Sequence, residues 1–285
     1  MSLTSLIDDR SSPLAQWMDS TFDRRAISDL VSEVNDHLGE QSILLYVEHG
    51  EYALVGTAFD YLFRWQFGPL EKAVALNGAL VLALKGWKLA VPIVRHVLKV
   101  GNRANDYPHD QAVAAVILSW FEAVFRSPRM PHELLAARDF ATGQDAVTYL
   151  RQQIKPDVVN DLLLLKSSIP HVWQGQSMTA HHLNPTFAGS MDVGGADADW
   201  IFDGTLYDCK VSKVQRPFSR REVLQVLGYT LLDYDDTYHI HSVGWYYARQ
   251  QARLTYPLDD LLDCLHVAQP LAALRREVRK LLRGG

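Results

Sequence analysis

A two-residue turn in the C-terminal half constrains the fold more than any other feature of the sequence. Asp203-Gly204 separates two stretches, 196–202 and 205–212, in which polar and apolar residues alternate. Asp-Gly is a favoured pair for the tightest hairpin turn, so the pattern predicts two antiparallel strands. A two-residue loop pairs Phe202 with Thr205, and this pair fixes the partner of every other residue in the hairpin.

The predicted register sorts the hairpin side chains onto two faces of the sheet. The expected core face carries Ala198, Trp200, Phe202, Tyr207 and Cys209. The other face carries charged residues, with Asp199 opposite Asp208 and Asp197 opposite Lys210. Carboxylates that face each other with Cβ atoms about 5 Å apart repel unless positive charge lies between them. Lys210 supplies part of that charge, and a divalent cation such as Mg²⁺ would supply the rest. The alternative is a solvated sheet face of mixed charge.

The two parts of the chain differ in pattern. Over 1–168 apolar residues recur at helical spacing, which predicts a mostly helical N-terminal part. Over 169–285 aromatic residues, turn dipeptides and alternation predict a small mixed sheet flanked by helices. No linker rich in Gly, Ser or Pro separates the two, so we expect one integrated α/β (α+β) domain. The predicted helices are 19–38, 51–67, a pair within 70–98, 111–125, 132–153, 157–166 and 219–234, with a strand at 239–248 and helices from about Pro257 and Pro270.

Composition and charge exclude several classes of protein. The chain has 285 residues, of which 48% are hydrophobic, and a net charge of −5, so it is not a basic protein that coats nucleic acid. Its two cysteines, Cys209 and Cys264, cannot form a disulfide framework and indicate reduced thiols in the cytoplasm. The first ten residues do not resemble a signal peptide. Two lysines and a proline interrupt the apolar stretch 73–97 before the ~18–20 residues that a membrane span needs, so no membrane partner is expected.

The order of polar residues resembles that of a nuclease superfamily. Asp199, followed on the next strand by Asp208-Cys-Lys210, resembles the PD-(D/E)XK signature of an acid and then (D/E)-x-K. Residues 195–202 are similar to the G-x-x-D-apolar-apolar run of the RecB-like branch. Gln225-x-x-x-Tyr229 is similar to the Q-x-x-x-Y motif of that branch. Gly56-Thr-Ala-Phe-Asp60 resembles its helical G-x-x-x-H segment, with Asp60 in place of the usual histidine.

The resemblance implies a restriction-endonuclease-like core and a nuclease that hydrolyses phosphodiester bonds in DNA with Mg²⁺ or Mn²⁺. Asp199 and Asp208, with the backbone carbonyl of Cys209, would hold the metal, which lowers the pKa of a bound water. Lys210 would orient that water or stabilise the developing negative charge. Gln225 and Tyr229, one helical turn apart, would bind the DNA backbone or support Lys210. The iron–sulfur cluster of the CRISPR-associated exonucleases in this branch requires four cysteines, which this chain lacks.

Three further acids are candidate metal ligands. Asp197 competes with Asp199 for the same role, and Asp60 takes the position of the histidine in the helical motif. Glu122 lies in an apolar helix, where pairing with Arg126 four residues later is the alternative. The histidines do not have the spacing of a zinc site.

Basic residues follow the hairpin directly and are candidates for binding phosphates at the mouth of the site: Lys213, Arg216, Arg220 and Arg221. The alternative is ordinary charge on a solvated surface. Ser219-x-x-Glu222 at the start of the next helix has the spacing of a capping box.

Two other functions stay open at this point. The chain could be a non-catalytic nucleic-acid-binding module that keeps the nuclease fold. It could also be a helical interaction protein, in which the apolar helices within 70–98 bind a protein partner or a second copy of the chain.

Overall fold

The computed structural model describes residues 2–40, 45–103, 107–127, 129–175 and 178–284. The chain forms two compact units, of which the first combines Met1–Leu44 with Val172–Gly285 and the second is Leu45–His171. The change of sequence pattern near residue 168 lies close to the end of the second unit, and the helices before Leu45 belong to the same unit as the C-terminal sheet. None of the described helices has the length and apolar character needed to cross a membrane.

The described residues form thirteen α-helices, five strands and a short 3-10 helix at Ser190–Val193. The helices are α1 (Leu3–Asp8), α2 (Pro13–Thr21), α3 (Arg24–Glu40), α4 (Tyr52–Arg64), α5 (Val74–Leu84), α6 (Ala90–Arg103), α7 (Pro108–Arg126), α8 (His132–Ala137), α9 (Gly143–Gln153), α10 (Pro156–Val172), α11 (Arg220–Leu232), α12 (Leu258–Cys264) and α13 (Leu271–Arg283). The strands are β1 (His181–Leu183), β2 (Trp200–Phe202), β3 (Thr205–Lys210), β4 (Ser242–Tyr247) and β5 (Ala252–Pro257).

The strands form one mixed open sheet in the order β1-β2-β3-β4-β5. Strands β1, β2 and β3 pair antiparallel, β3 and β4 pair parallel, and β5 returns antiparallel to β4. Helix α11 makes the crossover that two parallel neighbours require. The mixed α/β character agrees with the sequence prediction, which did not include β1 and β5 as separate strands.

The hairpin register is confirmed. Phe202 pairs with Thr205 and Trp200 with Tyr207. Asp203 and Gly204 have φ values of 45° and 75°, and two positive φ angles define the turn type that matches the twist of the flanking strands. Strand β2 is shorter than predicted.

Both faces of the hairpin are buried, whereas the sequence predicts one core face. On the predicted core face, Trp173 packs edge-on against four aromatic rings at centroid distances of 5.0 to 6.2 Å, namely Trp200, Phe202, Tyr207 and Tyr246. The face with the acids also carries Ile201 and Leu206, which belong to a large apolar core. That core joins the sheet to α1–α3 and α11–α13. The charged residues therefore lie at the end of a buried face.

The second unit consists of the helices α4 to α10. Every residue of α7 from Gln111 to Glu122 is buried, so this helix is the centre of the unit. The predicted pair of helices within 70–98 is present as α5 and α6. The predicted helix 132–153 is instead two helices, because α9 starts anew at Thr142, whose hydroxyl accepts a hydrogen bond from the Asp145 amide.

Candidate functional site

Asp199, Asp208 and Lys210 lie together where the β2–β3 ladder ends. The last ladder pair is Trp200 with Tyr207, so Asp199 and Asp208 follow directly beyond it. Oδ2 of Asp199 accepts a hydrogen bond of 2.6 Å from the amide of Cys209, which holds this carboxylate against β3. Nζ of Lys210 lies 2.7 Å from Oδ2 of Asp208. The acid and the D-x-K residues thus form one cluster.

Helix α11 supports this cluster from the same face of the sheet. Lys210 donates a hydrogen bond of 3.2 Å to Oε1 of Gln225. Nε2 of Gln225 in turn donates one of 3.0 Å to the hydroxyl of Tyr229. The resemblance implies that Gln225 and Tyr229 either bind the DNA backbone or support Lys210. These contacts agree with the second role.

The cluster contains more negative than positive charge. Asp208 is only 3% exposed, and burial raises its pKa even though the Lys210 ammonium opposes this shift. Burial acts to lower the pKa of Lys210, but Asp208, with Asp199 and Glu222, raises it overall. Burial and the charges of Asp208 and Asp199 also raise the pKa of Tyr229. The Lys210 ammonium, with a smaller contribution from Arg221, therefore faces several carboxylates.

Glu222 belongs to this electrostatic environment, although the sequence pattern assigned it only to helix capping. The predicted capping box is not formed, since the Ser219 side chain makes no bond to the helix backbone and instead donates to the Glu222 carboxylate. The indole of Trp245 donates to the Glu222 carbonyl at 3.3 Å, and Trp245 is the β4 neighbour of Asp208. The spacing of three residues before Gln225 was the signal that could have identified Glu222.

Tyr247 is a second residue that the sequence pattern did not identify. It pairs in register with Lys210 on the neighbouring strand. Its side chain is fully buried, and its hydroxyl has no hydrogen-bond partner among the described residues. Burial raises the pKa of this hydroxyl, and the charges of Glu222 and Asp208 add to the effect. A buried, unsatisfied hydroxyl is costly and suits a site that receives a further polar group.

The donor set suits a hard divalent cation that completes its shell with water and phosphate. Oδ2 of Asp208 is buried, and the Lys210 ammonium lies 2.7 Å from it. Within the described ranges, no three His, Cys, Asp or Glu side chains are arranged to hold a metal. Two carboxylates are nevertheless sufficient for Mg²⁺, which commonly binds one or two together with waters and substrate phosphates.

The other predicted acidic ligands have different surroundings. The β2–β3 ladder ends at Trp200, so it does not include the predicted pair of Asp197 with Lys210, and Asp197 forms an isolated antiparallel bridge with Thr186. Asp60 and Glu122 lie in the second compact unit. Asp60 pairs with Arg64 at 2.5 Å.

The structure contains the pair of Glu122 with Arg126 that the sequence offers as the alternative. One carboxylate oxygen contacts Arg126 at 2.6 Å, and the other accepts a 2.6 Å hydrogen bond from the hydroxyl of Tyr61. Both oxygens of this buried acid are therefore satisfied by protein groups.

Three basic residues that follow the hairpin form ion pairs with acids of the N-terminal helices. The ion pairs are Arg216 with Asp36, Arg220 with Asp19, and Arg221 with Asp8. Lys213 is exposed. The sequence pattern could not reveal these partners, which lie in α1, α2 and α3. Exposed ion pairs of this kind contribute about 0–1 kcal/mol, so a phosphate can compete for the arginines.

Comparison with known proteins gives no match, since no family model, no curated protein and no solved structure matches this chain.

Proposed function

We propose that the chain is a PD-(D/E)XK-like, metal-dependent nuclease that hydrolyses phosphodiester bonds in DNA. The observation that carries the proposal is the cluster of Asp199, Asp208 and Lys210 at the end of two neighbouring strands, with Gln225 bound to the lysine. The small mixed sheet with α11 on the face of the cluster supports a restriction-endonuclease-like core. Cys209 and Cys264 form no disulfide in the described structure, which supports a cytoplasmic location.

Each residue has a distinct role in this mechanism. Asp199 and Asp208, with the Cys209 carbonyl, would hold Mg²⁺ or Mn²⁺, which supplies a Lewis acid and a bound water of lowered pKa. Lys210 presents a fixed positive charge to the phosphate as negative charge develops on it. Because the Tyr229 hydroxyl accepts from Nε2 of Gln225, the amide oxygen stays directed at Lys210.

A non-catalytic DNA-binding module is the second candidate, and one observation favours it. Asp208 is nearly fully buried, and Lys210 already compensates its charge without a metal. A buried ion pair of this type can persist for structural reasons after an activity has been lost.

Metal titration by calorimetry, together with DNA cleavage, tests the proposal. The samples are wild type, Asp199→Asn and Asp208→Asn, each with Mg²⁺ or Mn²⁺, in the absence and presence of an uncleavable phosphorothioate duplex. Linear, circular and single-stranded DNA are the cleavage substrates. Asp203→Asn is the matched control, because it changes the same chemical group at the turn of the same hairpin.

We expect both site variants to lose metal binding and to cleave at least about 100-fold more slowly, while Asp203→Asn behaves as wild type. Unchanged metal-dependent cleavage by Asp208→Asn contradicts the proposal. DNA binding that needs no metal, is unaffected by Lys210→Ala and is accompanied by no cleavage supports the binding module instead.

A further inference from the structure

We propose that the outer face of α6 binds the phosphate backbone of a nucleic-acid strand. This inference deepens the proposed function, because it names a surface that would hold the substrate. Arg95, Lys99 and Arg103 follow one another at intervals of four residues along this helix. Four residues advance an α-helix by about 6 Å and slightly more than one turn, so the three cations form an evenly spaced row that is inclined to the helix axis.

Within the part of the chain that the structure describes, the cations of this row form no ion pair. Helix α6 contains no Asp or Glu. The side chains of Arg95, Lys99 and Arg103 are exposed, and among the described residues none of them has an ion-pair or hydrogen-bond partner. The arginines that follow the hairpin differ in this respect, since acids of α1, α2 and α3 neutralise them. An uncompensated row of cations attracts a polyanion.

The row borders a groove of about 490 Å³ between α6 and the segment that follows α4. Leu70 and Leu98, both largely buried, line it beside the three cations. Glu71 contributes a single carboxylate to the lining. The phosphates of a strand can contact the cations along the groove, as they do in other positively charged grooves that bind single strands.

Asn102 gives the groove a fixed shape. Its Oδ1 accepts hydrogen bonds from the Trp65 indole at 2.8 Å and from the Leu70 amide at 2.9 Å. Its Nδ2 donates to the Leu70 carbonyl at 3.1 Å. The helix approaches so closely here that a Cβ on Gly101 would lie 2.1 Å from the Trp65 ring. These contacts join α6 to the segment that follows α4, so the groove is built into the fold.

A nucleic-acid strand fits this surface better than an acidic peptide does. The charges of a phosphodiester backbone repeat at a constant interval, like the cations of the row, whereas the carboxylates of a peptide follow its sequence.

Fluorescence anisotropy of labelled DNA tests this inference without cleavage. The probe is a single strand of about 20 nucleotides, longer than the ~4–16 nucleotides of a typical single-strand site, and its duplex is measured in parallel. EDTA removes divalent ions. The variant Arg95→Gln, Lys99→Gln, Arg103→Gln is compared with Arg25→Gln, Arg276→Gln, Lys280→Gln, which removes the same charge from exposed positions of the first unit. Circular dichroism and urea unfolding confirm that both variants are folded.

We expect the α6 variant to bind the single strand at least about tenfold more weakly at low salt. Its plot of log affinity against log salt should be shallower by about 2, because each phosphate contact contributes ~0.7 to the slope. The control variant should stay within about twofold of wild type. Wild-type affinity and slope in the α6 variant would overturn the inference, as would a wild type that binds neither DNA. Tighter binding of polyglutamate than of DNA, lost only in the α6 variant, would assign the face to an acidic protein.

Metal-dependent cleavage, measured separately, distinguishes this inference from the proposed function. If Asp208→Asn loses cleavage while the α6 variant keeps both cleavage and DNA binding, the α6 surface is refuted and the nuclease proposal stands. DNA binding that depends on α6 in a wild type without cleavage supports the surface and refutes the nuclease.

Discussion

Lys210 contacts Asp208, two residues earlier on the same strand, at 2.7 Å between Nζ and Oδ2. Residues i and i+2 of a strand share a face, so the D-x-K spacing by itself brings the two charges together. The spacing does not orient the ammonium. Gln225 does so from α11 at 3.2 Å, and the geometry of the cluster therefore depends on a helix outside the hairpin.

Replacing Gln225 by leucine tests this dependence. We expect Gln225→Leu to lower the rate of metal-dependent cleavage about 10–100-fold, the range typical for residues that orient a metal-site group. Tyr229→Phe should have a smaller effect, because it removes only the hydroxyl that orients the amide. Single-turnover cleavage is the measurement, with urea unfolding to confirm that both variants are folded. A wild-type rate in Gln225→Leu would show that Lys210 needs no positioning partner.

Truncation of Leu3 tests whether α1 packs into the same core as the sheet. It is 2% exposed and belongs to the same apolar core as α11. Leu3→Ala should reduce the free energy of unfolding by about 2–4 kcal/mol, as expected for truncation of a buried leucine. Leu84→Ala is the matched control, because Leu84 is 90% exposed and its truncation should change stability by less than about 0.5 kcal/mol. Equal unfolding midpoints in urea for the two variants would contradict the packing of α1 in this core.

The hairpin was predictable because a two-residue turn sets its register without help from the rest of the chain. The position of α1–α3 was not predictable, because it depends on packing between distant segments. Arg220 and its partner Asp19 are 201 residues apart in the sequence, and no local pattern encodes such a pair. The same limit explains why the sequence pattern gave no acidic partner for the arginines after the hairpin.

Asp197 and Glu222 show a second limit. The hairpin pattern describes only the pairing of β2 with β3. It could not reveal that residues before β2 pair with an earlier segment of the chain, as Asp197 does with Thr186. The Ser-x-x-Glu pattern cannot distinguish a serine that caps the backbone from one that donates to the glutamate, as Ser219 does. In both cases tertiary surroundings decide which partner a polar side chain takes.

The ion pair of Asp236 with Arg275 leads us to expect that the free energy of unfolding depends on pH. Partial burial acts to raise its pKa, but the hydrogen bond and charge of Arg275, with a smaller contribution from His239, lower it below its ordinary value. A carboxyl with a lowered folded-state pKa adds stability above its unfolded pKa and loses it as the pH falls through the folded pKa. Because Asp236 is 54% exposed, solvent screening keeps this contribution below about 1 kcal/mol.

Urea unfolding between pH 7 and pH 3 measures this contribution. The difference in stability between wild type and Asp236→Asn should be constant near neutral pH and should shrink below about pH 4. Asp235→Asn is the control, because its partner Arg279 lies 3.3 Å away in an exposed pair. A difference that grows as the pH falls would contradict the assigned direction of the pKa shift.

The turn itself gives the sharpest test of how the fold builds the site. Gly204 has a φ of 75°, and a Cβ there would lie 2.5 Å from Nε2 of His241. Gly204→Val should therefore cost about 1–3 kcal/mol of stability, whereas Asp203→Asn should cost less than about 0.5 kcal/mol, because Asn tolerates a positive φ. Since the turn sets the register that places Asp199 beside Asp208, Gly204→Val should also weaken metal binding at temperatures where the variant is folded.

Hydrogen exchange of the Cys209 amide, which donates to Asp199, reports on the register directly. Faster exchange only in Gly204→Val would link the turn to the site, and equal exchange in both variants would show that the cluster is held together without it.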